Sequence, residues 1–477
     1  MSKGKKASSF RTGMYLLDSF TSGMYNDPLI VYREYIQNAV DSIDLASHQH
    51  GSAPEVSIDL APGQRLITIR DNALGIPSEI AQKTLSSIGS STKTDLGLRG
   101  FRGIGRLGGI AFSDSAVFRT KARYEAVESI QEWDCKELRR LLASQRKKVL
   151  SLAEVFERVT AFRQEHSDRP EDSYFEVTLQ GVSSFRNQIF DIEKVRRYLG
   201  QIAPVPFDYQ QFSYARTIDD FLSSRLKGYG RYNIILNGEP VLKPYGDVVR
   251  ITKGDGDRLE GVEFFEIKNG KDQPFAYGWY GRRKELLGSI VKGDDSSGIR
   301  IRVGNIQIGD AHLLDFCFRE PRFNGYVPGE VHVVSNKLIP NSRRDDFVDN
   351  REKGLFYNSI EREVGLPISK EIRARSRLAS APQISSPAPR KDSSAPHNGG
   401  GQCLVPQSLC ALSASQESRL RQNAGAPLAG TNEPLDPPST ALPPCYEASS
   451  HSLRDMLQNV CEQCPNIAKL LDLLGRQ

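Results

Sequence analysis

Apolar residues recur at intervals of three and four positions from Pro28 to Ser47, which predicts an amphipathic helix. The next two segments, Glu55–Leu60 and Arg65–Asp71, alternate apolar and polar residues. They flank Pro62-Gly63 and therefore predict a β-hairpin. Ser78–Ser86 returns to helical spacing. The chain is thus expected to begin as a mixed domain of helices and strands.

The same mixture continues downstream. Ile104–Phe112 predicts a helix, Ala116–Ala122 a strand, and the charged segment Lys136–Gln164 a helical insertion, before Tyr174–Leu179 regains strand spacing. A second unit is expected from about Asp191, where a helix leads into several strands. These strands are expected at Tyr232–Leu236, Phe264–Ile267, Phe275–Tyr280, Ile299–Val303 and Val331–Val334.

Proline content changes sharply near residue 380. Of the 26 prolines, 11 lie between Pro382 and Pro444, among Ser, Ala and Gly residues. Such a segment has too few large apolar side chains to offset the entropy lost on ordering, so residues 379–448 are expected to form a disordered linker. Helical spacing returns from His451 to Leu474, interrupted by Pro465, and predicts a short helical hairpin over 449–477.

Composition narrows the class of protein only a little. A chain of 477 residues is expected to hold two to four folding units, and a net charge of +5 predicts no particular partner. No apolar run approaches the ~18 residues of a membrane span, and no secretory signal is apparent, so we expect a cytoplasmic protein. Seven cysteines spread along the chain favour reduced thiols. The single Cys461-x-x-Cys464 pair favours ordinary helical cysteines over a zinc site.

Three motifs carry candidate chemistry, and the first lies on the early helix. Glu34, Asn38 and Asp41 share one helix face, a pattern that alone is typical of a solvated edge. The second motif, Asp71-Asn72-Ala73-Leu74-Gly75, ends a predicted strand. There a buried carboxylate could accept a hydrogen bond from a flat heterocycle, although Asp, Asn and Gly are also common turn residues.

The third motif is glycine-rich and precedes a predicted helix. In Gly100-Phe101-Arg102-Gly103-Ile104-Gly105 the glycines allow backbone N–H groups to approach a phosphate chain, and the helix N-terminus adds a positive dipole end. The motif matches neither the dinucleotide fingerprint nor the Gly-Lys-Ser/Thr phosphate loop.

The order and residues of these motifs resemble the GHKL ATPase superfamily, which includes gyrase B, the ninety-kilodalton heat-shock chaperones, sensor histidine kinases and MutL. The resemblance covers residues 15–185 and implies ATP and Mg²⁺ as ligands. It implies that Glu34 activates the attacking water, Asn38 binds magnesium, Asp71 binds the adenine amino group and Thr178 supports Asp71 through water. Ala73 stands where the family has a glycine. The other implied nucleotide contacts are Asp41, Gly75, Lys93, Gly100, Gly103, Ile104 and Gly105.

A downstream stretch resembles the middle domain of the heat-shock chaperones. Leu338-Ile339-Pro340-Asn341-Ser342-Arg343-Arg344-Asp345 is similar to the chaperone loop whose arginine reaches the γ-phosphate. On that match Arg344 senses the γ-phosphate and Asn341 holds the loop, with Arg343 as the alternative arginine. The polar segment Ser87–Thr94, which contains Lys93, would be the lid over the nucleotide.

The resemblance implies an α+β fold: a Bergerat-type ATP-binding α/β sandwich over 10–188, then a ribosomal-protein-like α/β transducer over 189–378. We expect ATP binding and hydrolysis to drive closure of a chaperone-like clamp, which forms a homodimer on binding nucleotide, is reset by hydrolysis and acts on protein clients or partner proteins. An alternative is a nucleic-acid clamp like MutL or the MORC proteins, because Gly100-Phe101-Arg102-Gly103 also resembles the MutL motif. A third is a scaffold or defence component whose ATP site only gates partner binding.

Overall fold

The computed structural model describes residues 27–46, 53–87, 108–143, 150–183, 185–252 and 256–380. Within them the chain forms helices and two β-sheets, which confirms the α+β class. The glycine-rich motif, the helical hairpin and nearly all of the linker lie outside the described residues. No helix among the described residues is long and apolar enough to cross a membrane.

The first sheet has eight strands in the order β5-β4-β3-β6-β2-β1-β7-β8. β1 and β2 form the predicted hairpin, closed by a 3₁₀ turn at Pro62–Gln64. β7 pairs in parallel with β1, so a strand far along the chain extends the sheet. The strands are β1 Glu55–Ala61, β2 Leu66–Asp71, β3 Ser115–Lys121, β4 Val127–Asp134, β5 Thr160–His166, β6 Tyr174–Gln180, β7 Asn233–Leu236 and β8 Glu239–Pro240.

Helices cover this sheet, and the motif helix is among them. Helix α1 contacts β1 and β2 and buries its apolar stripe against Val56, Ile58 and Ile69. The helices are α1 Ile30–Leu45, α2 Ser78–Ser86, α3 Cys135–Ala143, α4 Leu152–Val159 and α5 Ile192–Ile202.

The helical prediction for Lys136–Gln164 is wrong in its last part. Helices α3 and α4 occupy its beginning and middle, but Thr160–His166 is strand β5, which pairs antiparallel with β4 at the edge of the sheet. Charged side chains are typical of an exposed edge strand. Because charged residues are frequent here, the segment lacks the alternation of apolar and polar residues by which a half-buried strand is predicted.

The second sheet has six strands in the order β13-β12-β14-β11-β10-β9. Helices α7 and α8, joined by a π-helical turn at Glu361–Gly365, pack with it around a second apolar core. These elements are α6 Ala215–Ser223, β9 Val248–Val249, β10 Asp257–Lys268, β11 Pro274–Arg283, β12 Gly298–Val303, β13 Ile306–Ile308, β14 Pro328–Val333, α7 Arg351–Ile360 and α8 Leu366–Ser380.

All described residues belong to one compact unit of the chain. β7 and β8 follow the predicted boundary at 188/189 in sequence, yet they complete the first sheet. The first sheet therefore takes strands from both sides of that boundary. The division of the chain into domains stays a prediction.

Candidate functional site

The residues of the first motif lie on helix α1 and are largely buried. Glu34 is 7% exposed and Asp41 is fully buried, while Asn38 is half-buried. Because a helix advances about 100° per residue, positions 34, 38 and 41 fall on one face. The burial of two carboxylates excludes a merely solvated helix edge and indicates a built polar site.

Gln37 lies on the same face of α1 and was missed by the motif reasoning. Its side chain is 1% exposed, and neither its amide nitrogen nor its amide oxygen has a hydrogen-bond partner among the described residues. An unpaired buried amide costs about 1–3 kcal/mol. Such a group is typical of a position that meets polar atoms of a ligand.

The second motif ends β2 with a buried carboxylate. Asp71 is 3% exposed, and its Oδ1 accepts a hydrogen bond from the backbone N–H of Ala73 at 3.1 Å. Gly75 has φ of +66°, and a Cβ there would lie 1.9 Å from the carbonyl oxygen of Lys121. Only glycine fits this close approach. Ala73, in contrast, is buried without a positive φ, so its methyl group is accommodated.

The sheet register does not bring Thr178 to Asp71. Asp71 pairs with Phe175, whereas Thr178 pairs with Thr68. Side chains alternate between the two faces of a strand, so Thr178, three positions from Phe175, lies on the opposite face from Asp71. Its hydroxyl instead contacts Glu176 at 3.5 Å. The implied support of Asp71 by Thr178 therefore does not fit this register.

Ser173, immediately before β6, is a hydroxyl residue that contacts the second motif. Its Oγ donates a hydrogen bond to the backbone carbonyl of Ala73 at 2.5 Å. A small hydroxyl residue immediately before β6 is the signal that could have identified it.

The glycine-rich motif and Lys93 lie outside the described residues, and this applies to Gly100, Gly103, Ile104 and Gly105 alike. The chain is described again just after the motif, at Gly108. There the backbone N–H of Gly109 donates to the hydroxyl of Tyr35 at 3.2 Å. A Cβ on Gly109 would lie 2.4 Å from that hydroxyl. The segment after the motif is therefore fastened to the helix that carries Glu34.

The arginine loop is a short turn held by Asn341. Pro340 and Phe347 form an antiparallel bridge, and the side-chain amide of Asn341 donates to Asp345 at 2.5 Å. Arg344 has φ of +57°, and its backbone carbonyl accepts a hydrogen bond from the N–H of Gly309 at 2.8 Å. The predicted role of Asn341 in holding this loop is confirmed.

The same loop distinguishes the two candidate arginines. Arg343 is exposed, whereas Arg344 reaches α1, and its Nε lies 3.2 Å from Oε1 of Glu34. The two side chains of this pair are 14% and 9% exposed. A partly buried ion pair is shielded from solvent and is stronger than the usual surface pair. The structure thus brings together Glu34 and Arg344 but not Glu34 and Arg343.

Comparison with known proteins does not assign the chain to a family. No protein-family model matches the chain, and no curated protein matches it either. Among the described residues, no group of three or more His, Cys, Asp and Glu side chains could hold a metal ion. Cys461 and Cys464 lie outside those residues.

Proposed function

We propose that the protein is a Mg²⁺-dependent ATPase of the GHKL type, in which ATP hydrolysis resets a chaperone-like clamp. The observation that carries this proposal is the ion pair between Glu34 and Arg344 at 3.2 Å. Each residue was assigned to hydrolysis from its own motif, and 310 positions separate them. Their meeting in a shielded position is what a shared catalytic site requires.

The fold around the pair supports the proposal. Helix α1 packs on β1 and β2, and β2 ends in the buried Asp71, as a Bergerat-type nucleotide site requires. The second sheet supplies the arginine loop directly after β14, as a transducer would. Binding of ATP to both parts would couple nucleotide state to the arrangement of the clamp and to formation of a homodimer.

The residues at the site fit ATP and magnesium. The buried carboxylate of Asp71 offers an acceptor for the adenine amino group, and the turn at Gly75 leaves no room for a side chain on the backbone next to it. The unpartnered amide of Gln37 adds a donor and an acceptor on the face of Glu34. Asn38 would hold Mg²⁺ through its amide oxygen, and the bound ion would neutralise phosphate charge.

Glu34 is the general base of the proposed reaction. Its carboxylate orients the attacking water and accepts its proton. Because Arg344 occupies that carboxylate in this structure, the arginine must move from Glu34 to the γ-phosphate before the base can act. Hydrolysis would then require ATP and a correctly placed arginine loop together, which suits a slow switch.

A nucleic-acid clamp is the second candidate. The similarity of Gly100-Phe101-Arg102-Gly103 to the MutL motif favours it. Duplex DNA binding that weakens steeply with salt, and ATP turnover stimulated by DNA, would support this candidate. Suppression of client aggregation without DNA binding would support the chaperone.

ATP binding and turnover test the proposal directly. We expect Glu34→Gln to retain binding of Mg-ATP in calorimetry and to lose turnover by at least about a hundredfold, because the base is removed while the pocket remains. Asp71→Asn should weaken ATP binding, because the uncharged amide oxygen is a weaker acceptor for the adenine amino group than the carboxylate, and the new NH₂ group can only donate.

Two matched variants serve as controls. Glu79→Gln on α2 and Asp59→Asn on β1 make the same chemical changes at exposed positions. Both should behave as the unaltered protein. Full turnover by Glu34→Gln, or no ATP binding by the unaltered chain, would refute the assignment.

A further inference from the structure

Five side chains form a buried polar cluster centred on Glu330 of β14, hereafter the Glu330 cluster: Lys243, Tyr245, Arg302, Glu330 and His332. The carboxylate of Glu330 accepts hydrogen bonds from Nζ of Lys243 at 2.7 and 2.8 Å and from Nε of Arg302 at 2.6 Å. His332 and Tyr245 approach the same carboxylate at 3.1 and 3.2 Å. Lys243, Arg302 and Glu330 are all fully buried at their side chains.

Stabilisation of the fold is by itself a weak explanation for such a buried charged cluster. Burying ions costs several kcal/mol each, and apolar residues of similar volume often serve the fold as well or better. The proposed ATPase chemistry does not use any of these five side chains. The elements of the fold that these side chains connect are therefore the evidence for their role.

Arg302 links the cluster to the carboxyl end of α5. Its Nη2 donates to the backbone carbonyl of Gln201 at 2.7 Å, and its Nη1 approaches the carbonyl of Ala203 at 3.4 Å. The last carbonyls of a helix lack partners within the helix and carry its negative dipole end. Arg300, two residues earlier on β12, contacts the side chain of Gln201 at 3.2 Å. Two arginines of strand β12 thus hold the carboxyl end of α5 by hydrogen bonds.

Helix α5 leads back to the candidate site. It packs against α1, where burial raises the pKa of its Tyr198 and the positive charge of Arg33, the neighbour of Glu34, partly offsets that rise. Strand β14, which carries Glu330, continues into the loop of Arg344. A continuous path of packed elements therefore runs from Glu34 through α1, α5, Arg302 and β14 to Arg344. It joins the two members of the ion pair by a second path.

We propose that Arg302 is a positioning residue, which holds the carboxyl end of α5 against β14 and so sets the distance at which the Arg344 loop meets Glu34. The consequence for catalysis rests on the proposed ATPase function, whereas the positioning itself does not. A misplacement of about 1 Å can lower a rate about a hundredfold. Loss of the Arg302 contacts to α5 should therefore lower ATP turnover without removing any group that touches ATP.

Arg302→Lys in the full chain tests the inference. Lysine keeps a positive charge opposite Glu330, but it has no planar fork to reach both the carboxylate and the α5 carbonyls. We expect kcat for ATP to fall by about tenfold or more while KM stays within about twofold. A purely structural role would lower the thermal midpoint without this split between kcat and KM.

Arg283→Lys is the matched control. Arg283 is equally buried and pairs with Asp257 at 2.9 Å, and its other hydrogen bonds go to the backbone carbonyls of Gly288, Leu287 and Tyr326 rather than to α5. It should lose stability as Arg302→Lys does, with unchanged kcat. If Arg302→Lys fails to fold, a triple variant replaces the buried ions by apolar side chains and still removes the contacts of residue 302 to α5. It combines Lys243→Met, Arg302→Met and Glu330→Leu.

A distance measurement separates this inference from the proposed function. Spin labels on unnatural residues at Leu45 and Val348, both exposed, report the separation of α1 from the arginine loop without using native cysteines. We expect a narrow distribution in the unaltered chain and in Arg283→Lys, and a clearly broader or shifted one in Arg302→Lys. An unchanged distribution in Arg302→Lys would overturn the positioning role whether or not the chain hydrolyses ATP. A broadened distribution with unchanged kcat would overturn its link to catalysis.

Discussion

Arg344 and Glu34 lie in contact through Nε and Oε1 at 3.2 Å, although Arg343, next to Arg344 in the chain, is exposed to solvent. The difference arises because the turn gives Arg344 a positive φ and ties its carbonyl to Gly309. The backbone thereby directs one arginine inward. The two arginines are consequently expected to differ in function.

Arg344→Ala is expected to lower ATP turnover by about a hundredfold, because the cation that would neutralise the charge developing on the γ-phosphate is lost. Arg343→Ala should lower turnover far less, since its side chain is exposed. Steady-state kinetics at saturating ATP measure both. Equal losses in the two variants would contradict the assignment of Arg344.

Ser173→Ala is expected to weaken ATP binding about fivefold. It removes the hydroxyl that fixes the Ala73 carbonyl beside Asp71, and one hydrogen bond contributes about 1 kcal/mol. Thr178→Val removes a hydroxyl of β6 on the face opposite Asp71 and should change affinity less than about twofold. Calorimetric titration with ATP distinguishes the two. A larger effect of Thr178→Val would restore the role that the family resemblance implied.

Tyr35→Phe is expected to weaken ATP binding and to lower the thermal midpoint. The N–H of Gly109 loses its partner, and the segment after the glycine-rich motif is released from α1. Tyr32→Phe is the matched control, because Tyr32 lies on the same helix and donates its hydroxyl hydrogen to Ile189 at 2.5 Å. It should lower the thermal midpoint by a similar amount, a few degrees, and leave ATP affinity unchanged. Equal affinities in the two variants would refute the anchoring role of Tyr35.

Acid should destabilise the folded chain through His332. Burial lowers the pKa of His332 from 6.5 to about 4, so the unfolded chain binds this proton at a higher pH than the folded chain. Stability therefore falls as the pH drops from 6.5 towards 4. Lys243, whose pKa burial lowers from 10.5 to about 7, adds its pH dependence only between 7 and 10.5. Burial favours the neutral form of Glu330, but the charges of Arg302 and Lys243 together outweigh burial and hold its pKa well below 4.5, so its pH dependence lies below that value.

Thermal midpoints at pH 6.5 and 4.5 measure this effect. His332→Gln keeps a donor for Glu330 but cannot titrate, so we expect it to reduce the fall in midpoint by at least about 2 °C. His312→Gln, at an exposed position, should leave the fall unchanged. An identical fall in His332→Gln would show that His332 is not the group responsible.

Local pattern was sufficient for much of this protein. The spacing of apolar residues determined α1, the β1–β2 hairpin, α2 and most strands of the second sheet, because helix and strand periods depend on near neighbours. The shared face of Glu34, Asn38 and Asp41 also follows from helix geometry alone. The mixture of helix and strand periods also predicted the α+β class, whereas the loop-holding role of Asn341 came from the resemblance to the chaperone loop.

Only the tertiary structure decided which residues meet. It selected Arg344 over Arg343, placed Ser173 rather than Thr178 beside the second motif, and left the buried Gln37 without a partner among the described residues. It also paired β7 with β1 and buried the Glu330 cluster between α5 and β14. These outcomes depend on sheet register and on contacts between residues from different helices, strands and loops, many of them a hundred or more positions apart. Local spacing carries no information on either, because side-chain direction in a sheet is determined by the pairing of strands.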